Sequence, residues 1–175
     1  EHPIAALQSE YSLWSRNAEL GTLQACKELG IAYIAFSPMG RAFFSGKLQQ
    51  VDNFAKGDIR ASMPRFASDA FAKNLRLLVP MQAVAEKADC TLAELAIAWL
   101  LHQGEHVIAL PGTTNVEHLR EDVRGGSVKL SVELMAELND IFKPEAIAGD
   151  RYALQAQGEV DTEKFAFEAG QSARH

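Results

Sequence analysis

Apolar and polar positions alternate along this chain in blocks that read as strands and helices in turn. Pro3–Leu7 (PIAAL) is a short apolar run, and the polar Gln8-Ser9-Glu10-Tyr11 follows it directly, as at a strand end. Asn17 is placed to cap a helix whose buried stripe is Leu20, Leu23, Cys26 and Leu29, with Gly30 as its stop. Ile31–Phe36 then runs unbroken and apolar, the pattern of a strand covered on both faces.

Residues 38–66 show neither period. They hold three glycines, Gly40, Gly46 and Gly57, and five basic residues, Arg41, Lys47, Lys56, Arg60 and Arg65. So long a connection inside one domain marks a functional loop. The helical period returns with Ser68 or Asp69 as cap, followed by Phe71, Leu75, Leu78, Val79 and Val84 to about Ala88, with a kink or break expected at Pro80. Thr91-Leu92-Ala93-Glu94 has the form of a capping box opening an apolar helix over Leu92–Leu101. Val107–Leu110 reads as a third strand closed by Pro111-Gly112. Asn115 or Thr114 caps a helix through Val116, Leu119 and Val123, and Ser131 caps another over Val132–Phe142. Beyond Pro144 the period fades, so residues 144–175 are expected to be a loop-like tail with disordered last residues.

Strands separated by helices at this spacing imply right-handed crossovers and a parallel sheet, an α/β fold. With 175 residues, 47% of them apolar and 23% charged, the chain has the composition of an ordinary globular domain. A net charge of −6 argues against nucleic acid as the partner. No apolar run approaches the roughly 20 residues that span a bilayer. Glu1-His2-Pro3 does not have the form of a signal peptide. Cys26 and Cys90, each placed on the apolar face of a helix and without a CxxC or Cys/His cluster, read as reduced thiols of a cytoplasmic protein. No metal-ligand spacing is present.

Two loops after strands carry candidate chemistry. Ser37-Pro38-Met39-Gly40-Arg41 follows the second strand, and Pro111-Gly112-Thr113-Thr114-Asn115 follows the third and opens a helix. Glycine and hydroxyl residues at a helix start leave backbone N–H groups free for an anion, which the helix dipole favours. Adjacent loops of this kind after the last strands form the common phosphate site of (β/α)8 barrels.

Three co-ordered segments resemble the C-terminal part of the aldo-keto reductase family. They are Gln8-Ser9-Glu10-Tyr11-Ser12; Phe36-Ser37-Pro38-Met39-Gly40-Arg41 with Ser45-Gly46-Lys47; and Leu110-Pro111-Gly112-Thr113-Thr114 with His118-Leu119-Arg120-Glu121-Asp122. The resemblance implies a partial (β/α)8 barrel over residues 1–143, its strands being the sixth to eighth of that barrel, and NADPH as cofactor with NADH possible. It implies that Gln8 pairs with the nicotinamide carboxamide and that Phe36 stacks on its ring. Ser37, Pro38, Met39, Gly40 and Arg41 would wrap the pyrophosphate, with Lys47 and Arg60 adding positive charge. Gly112, Thr113 and Thr114 would take the phosphate on the adenosine ribose, with His118 beside it, while Glu121 and Asp122 hold the adenine and its ribose.

Two departures bear on that picture. His118 stands where many members have Arg, and an imidazole lacks the bidentate grip of a guanidinium on phosphate. Asp122 replaces the usual Asn, and a carboxylate accepts from the adenine amino group but cannot donate to a ring nitrogen. The family's catalytic Asp, Tyr, Lys and His come from earlier strands, and Tyr11, Tyr33 and Tyr152 fall in the wrong places to substitute. His102 and His106 flank a helix end and read as capping or exposed groups.

The chain alone is therefore expected to lack catalytic residues and turnover. Its three strands leave two edges and one barrel face for the N-terminal part of the barrel, or another chain, to cover. The expected substrate is a small carbonyl compound, with Tyr152 and Glu159–Phe165 along one side of its pocket. The other reading is a nucleotide-binding regulatory or structural subunit without turnover.

Overall fold

The computed structural model describes residues 2–160 and 162–169. Three strands, β1 (Ala6–Glu10), β2 (Ala32–Phe36) and β3 (Val107–Leu110), form a parallel sheet in that order. Helix α1 (Thr22–Leu29) makes the first crossover. The second carries α2 (Ser68–Leu75), α3 (Leu78–Lys87) and α4 (Leu92–Leu101), and α5 (Val116–Gly125) and α6 (Val132–Ile141) follow β3.

The register decides which side chains meet. Leu7, Tyr33 and Val107 are in line on one face, and Gln8, Ile34 and Ile108 on the other. The first face lies under the helices, where Tyr33 is fully buried and Val107 nearly so. The second is the barrel's inner face, and there Ile108 stays 49% exposed and Leu110 44%. These residues are as apolar as those of a strand covered on both sides, yet the described residues leave this face partly open.

Several boundaries differ from the sequence pattern. β1 begins three residues later than Pro3 and takes in Gln8-Ser9-Glu10, because ladder pairing with β2 extends past the apolar run. The stripe read on the first helix is also corrected. Leu20 and Leu29 are exposed and only Cys26 is fully buried among the four. Steps of three residues drift about 60° backwards on each turn of a 3.6-residue helix, so four such positions cannot share one face. Asn17–Leu20 is instead a separate 3-10 turn ahead of α1.

The helix expected from Ser68 divides at Arg76-Leu77, and Pro80 sits in the first turn of α3, where its missing N–H costs nothing. Ala67 holds the cap position with no side-chain bond, so neither Ser68 nor Asp69 caps α2. Cys90 falls between α3 and α4 rather than on a helix, and both thiols are free. The capping box is formed: Thr91 Oγ1 accepts from the Glu94 N–H, and the Glu94 carboxylate accepts from the Thr91 N–H. Asn115 and Ser131 cap α5 and α6 as expected.

Residues 38–66 are fixed by aromatic packing that the absence of a period concealed. Phe43 stacks on Trp14 at 4.4 Å, and Phe44 and Phe66 meet the same indole edge-on. The segment after Pro144 is also more than a loop. It forms the short helices α7 (Leu154–Gln157) and α8 (Ala166–Ala169) and is pinned by single polar contacts, which leave no apolar period to read. Asn74, fully buried, donates to the Ala148 carbonyl at 2.9 Å and accepts from the Ala148 N–H at 2.8 Å. Gly149 follows at φ +86°, where an added Cβ would lie 2.7 Å from the Pro64 carbonyl oxygen. Glu163 accepts from the Thr22 N–H at 2.8 Å and so caps α1 across the chain. The expected disorder of the last residues, 170–175, falls outside the described residues.

Candidate functional site

The C-terminal ends of the three strands open into three adjoining cavities that share walls. The first, about 360 Å³, has Gln8, Ser9 and Phe36 on the strand side and Arg151, Tyr152 and Glu159 on the tail side. Phe36 also lines the second, about 560 Å³, with Ser37, Pro38, Met39 and Arg41 on one side and Leu110, Pro111 and Gly112 on the other. Met39, Arg60 and Gly112 pass on into the third, about 310 Å³, where Lys47, Thr113, His118, Glu121 and Asp122 are met. The result is one groove running from Gln8 past the β2 loop to the first turns of α5.

Its middle is built from unusual backbone. Ser37, Gly40, Arg41 and Ala42 all have positive φ, between 53° and 73°. Within this tight turn the Gly40 N–H donates to the Ser37 carbonyl at 3.0 Å and Pro38 has no N–H to offer. Gly40 has a packing reason as well, since a Cβ there would come within 2.8 Å of the Trp14 ring. Arg41 donates to the Tyr152 hydroxyl at 3.2 Å, while its Nε is buried without a hydrogen-bond partner among the described residues.

Arg60 is less free than its charge suggests. Its guanidinium makes a two-pronged pair with Asp58 (3.0 and 2.6 Å), lies over the Phe54 ring at 4.6 Å, and reaches the Arg41 carbonyl at 3.4 Å. Hydrogen bonding to Arg60 holds the Asp58 carboxyl below its usual range. Thr113 is tied into the helix start, its Oγ1 accepting from the Asn115 N–H at 3.1 Å. Asp122 is raised above the usual carboxylate range, first by burial and then by Glu121, against the opposing charge of His118. Of the fifteen positions singled out, Gly40 and Thr114 alone do not line the groove; Gly40 is buried under Trp14, and Thr114 is exposed on the same turn as Thr113.

Sequence reasoning missed a buried polar cluster under the first cavity. Glu10, at the end of β1, accepts from Ser15 Oγ at 2.8 Å, the Tyr152 hydroxyl at 3.0 Å and Arg151 at 3.2 Å. Arg65 donates to Ser15 Oγ at 2.7 Å and lies over the Trp14 ring. The signal in the sequence was a carboxylate at a strand end and two arginines in segments with no period, which fixes no pairing.

The other tyrosines are not at the groove. Tyr11 is fully buried and donates to Glu19 at 2.7 Å; burial, reinforced by Glu19, raises its phenol. Tyr33 is buried too and pushed up to about 12, chiefly by burial. His102 bridges the Ala98 carbonyl and the Leu130 N–H, so it fastens the end of α4. His106 meets the Leu23 carbonyl at 3.1 Å.

Parallel strands with helices on one face, and an elongated groove at their C-terminal ends, define part of a (β/α)8 barrel. The sequence profile of the Aldo/keto reductase family matches residues 1–143, and the chain belongs to that family. Two solved structures are similar. One is a glycerol dehydrogenase from Gluconobacter oxydans (26% identity, TM-score 0.75), matched over 82% of this chain and 44% of its own. The other is a thermostable aldo-keto reductase in complex with the inhibitor epalrestat (25% identity, TM-score 0.57), matched over 81% of this chain and 41% of its own. This chain therefore spans less than half the length of either. Among the described residues, no helix is long and apolar enough to cross a membrane.

Proposed function

We propose that this chain is the cofactor-holding part of an NAD(P)H-dependent aldo-keto reductase that converts aldehydes or ketones to alcohols. The observation that carries the reading is the continuous groove, whose wall residues follow the order that an extended dinucleotide requires. The nicotinamide cofactor supplies the hydride when bound. Gln8 has the planar amide to pair with a carboxamide, and Phe36, shared by the first two cavities, offers a ring for stacking. The backbone N–H groups of Met39, Arg41 and Ala42 and the half-bonded Arg41 side chain suit the diphosphate. Lys47, Gly112, Thr113 and His118 suit the ribose phosphate, with Thr114 beside them, and Glu121 and Asp122 the adenosine.

Arg60 acts by holding the loop, because Asp58 already matches its charge. The proton donor comes from outside this chain, Tyr11 and Tyr33 being buried away from the groove and the Tyr152 hydroxyl already donating to Glu10. The open inner face at Ile108 and Leu110 is closed by the rest of the barrel or by another chain. NADPH is the expected cofactor, NADH the alternative, and free thiols fit a cytoplasmic setting. The test is fluorescence titration of the complete barrel with NADPH. Phe36→Ala should weaken binding by about 1–3 kcal/mol, the range for loss of an aromatic stacking surface. An unchanged dissociation constant removes Phe36 from the site, and no binding by the unaltered protein overturns the reading.

A further inference from the structure

The buried cluster under the first cavity has more positive charge than it can pair. Arg65 and Arg151 are each 6% exposed, and Glu10, 4% exposed, is the one carboxylate that either shares through the cluster's hydrogen bonds. Glu10 is already fully engaged, since Ser15 and the Tyr152 hydroxyl also donate to it. Its bond to Arg151 is single and long, at 3.2 Å, and not the two-pronged pairing a guanidinium makes when it neutralises a carboxylate. Among the described residues Arg151 Nε has no hydrogen-bond partner, and the guanidinium lies over the Tyr152 ring at 5.3 Å.

Arg65 is better served. It has the Ser15 hydroxyl, the Gly149 carbonyl and the Trp14 face, and Glu168 and Asp150 act on it from further off. Even so, its guanidinium is pushed down to about 10, first by burial, with Glu10 opposing and Arg151 adding to the fall. Among the described residues neither Glu168 nor Asp150 hydrogen-bonds Arg151, whose one carboxylate bond is to Glu10. Arg151 lines the cavity that Gln8 and Phe36 also line. Glu159, on the same wall, is exposed to solvent and screened.

We infer that Arg151 receives the carboxylate of the substrate, so that the preferred carbonyl compounds are aldehydes or ketones bearing a carboxylate group. This rests on the proposed function, because it places the substrate beside the nicotinamide held by Gln8 and Phe36. A carboxylate in the first cavity supplies Arg151 with a charge partner beyond its single bond to Glu10 and offsets the surplus charge. Tyr152, which accepts from Arg41 and donates to Glu10, lies beneath this guanidinium and lines the same cavity.

Benzoate is the probe, with benzyl alcohol as its neutral counterpart, each titrated by calorimetry into the complete barrel saturated with NADP⁺. Benzoate should bind at least tenfold tighter than benzyl alcohol. Arg151→Gln should remove that preference, and Glu10→Gln, which leaves the two arginines uncompensated, should increase it severalfold. Opposite signs separate charge from damage, since mere disruption of the cluster weakens binding in both variants. Circular dichroism of each variant confirms that it is folded, and Arg151→Lys, which keeps the charge, should retain part of the preference.

Equal affinity for the two probes, or indifference to both Arg151→Gln and Glu10→Gln, overturns the inference while leaving cofactor binding intact. Displacement of benzoate by NADP⁺ also overturns it, by assigning Arg151 to the cofactor's diphosphate. Failure of NADP⁺ itself to bind refutes the proposed function instead.

Discussion

Replacing Asn74 tests whether the tail is fastened by one side chain. Its amide acts as a short strand partner for Ala148, one bond in each direction, from a position with no solvent exposure. Asn74→Ala removes both bonds. At about 1 kcal/mol net for each, and with a small cavity left behind, the loss should be about 2–3 kcal/mol. With a urea dependence of about 2 kcal/mol per molar, the unfolding midpoint should fall by about 1 M.

Asn74→Asp sharpens the test. The carboxylate can still accept from the Ala148 N–H, but it meets the Ala148 carbonyl with a lone pair in place of a donor. It should therefore be at least as destabilised as Asn74→Ala at pH 7, and it should recover in acid, where the protonated carboxyl can donate. Because Arg151 and Tyr152 lie three and four residues beyond Ala148, benzoate affinity should fall with stability. A midpoint shift under about 0.3 M for Asn74→Ala, or wild-type stability for Asn74→Asp, would refute this account of the tail.

Gly149→Ala should cost about 2–4 kcal/mol by thermal unfolding, from a left-handed backbone (φ +86°) and a Cβ driven to 2.7 Å from the Pro64 carbonyl. Glu94 gives a pH dependence: burial raises its carboxyl, but bonds from the Thr91 backbone and Arg124 outweigh this and hold it below its usual range. A depressed carboxyl stabilises the fold above its unfolded value of about 4.3 and loses that contribution as pH falls through the lower folded value, so the stability gap to Glu94→Gln should close between about pH 5 and pH 3 in urea titrations. His118→Arg should raise the NADPH-to-NADH affinity ratio about tenfold by giving the ribose phosphate a two-pronged partner; an unmoved ratio would place that phosphate elsewhere in the groove.

Much of this architecture could be read in the sequence, for identifiable reasons. Thr91 with Glu94, Asn115 and Ser131 marked helix starts correctly because caps are local chemistry. Val107–Leu110 was legible because turn residues bound it. The groove was legible because its loops lie next to strand ends and carry co-ordered motifs. What escaped notice depends on distance along the chain. Asn74 with Ala148, Glu163 with Thr22, and Glu10 with Arg151 are pairs whose members carry no period and no local signal. The charge on Arg60 was visible in the sequence, but its neutralisation by Asp58, two residues away, emerges only from side-chain geometry. Leu20 and Leu29 failed through periodicity itself, since a three-residue repeat does not stay on one side of a helix.

Glu10 and Arg151 are separated by 141 residues. A chain emerging from the ribosome makes β1 well ahead of Arg151 and must leave that carboxylate without this partner until the residues between them have been synthesised. The helices can settle on the sheet beforehand, since their contacts are closer in sequence, but the pairing at the strand end has a high contact order and closes late. The first cavity therefore gains its second wall only after β1, β2 and β3 have been made, and a chain stopped before residue 151 would build the loop after β2 yet present a half-formed mouth. Ligand recognition there is in this sense a checkpoint on completion: only a molecule translated past Tyr152 can close the site around anything it binds.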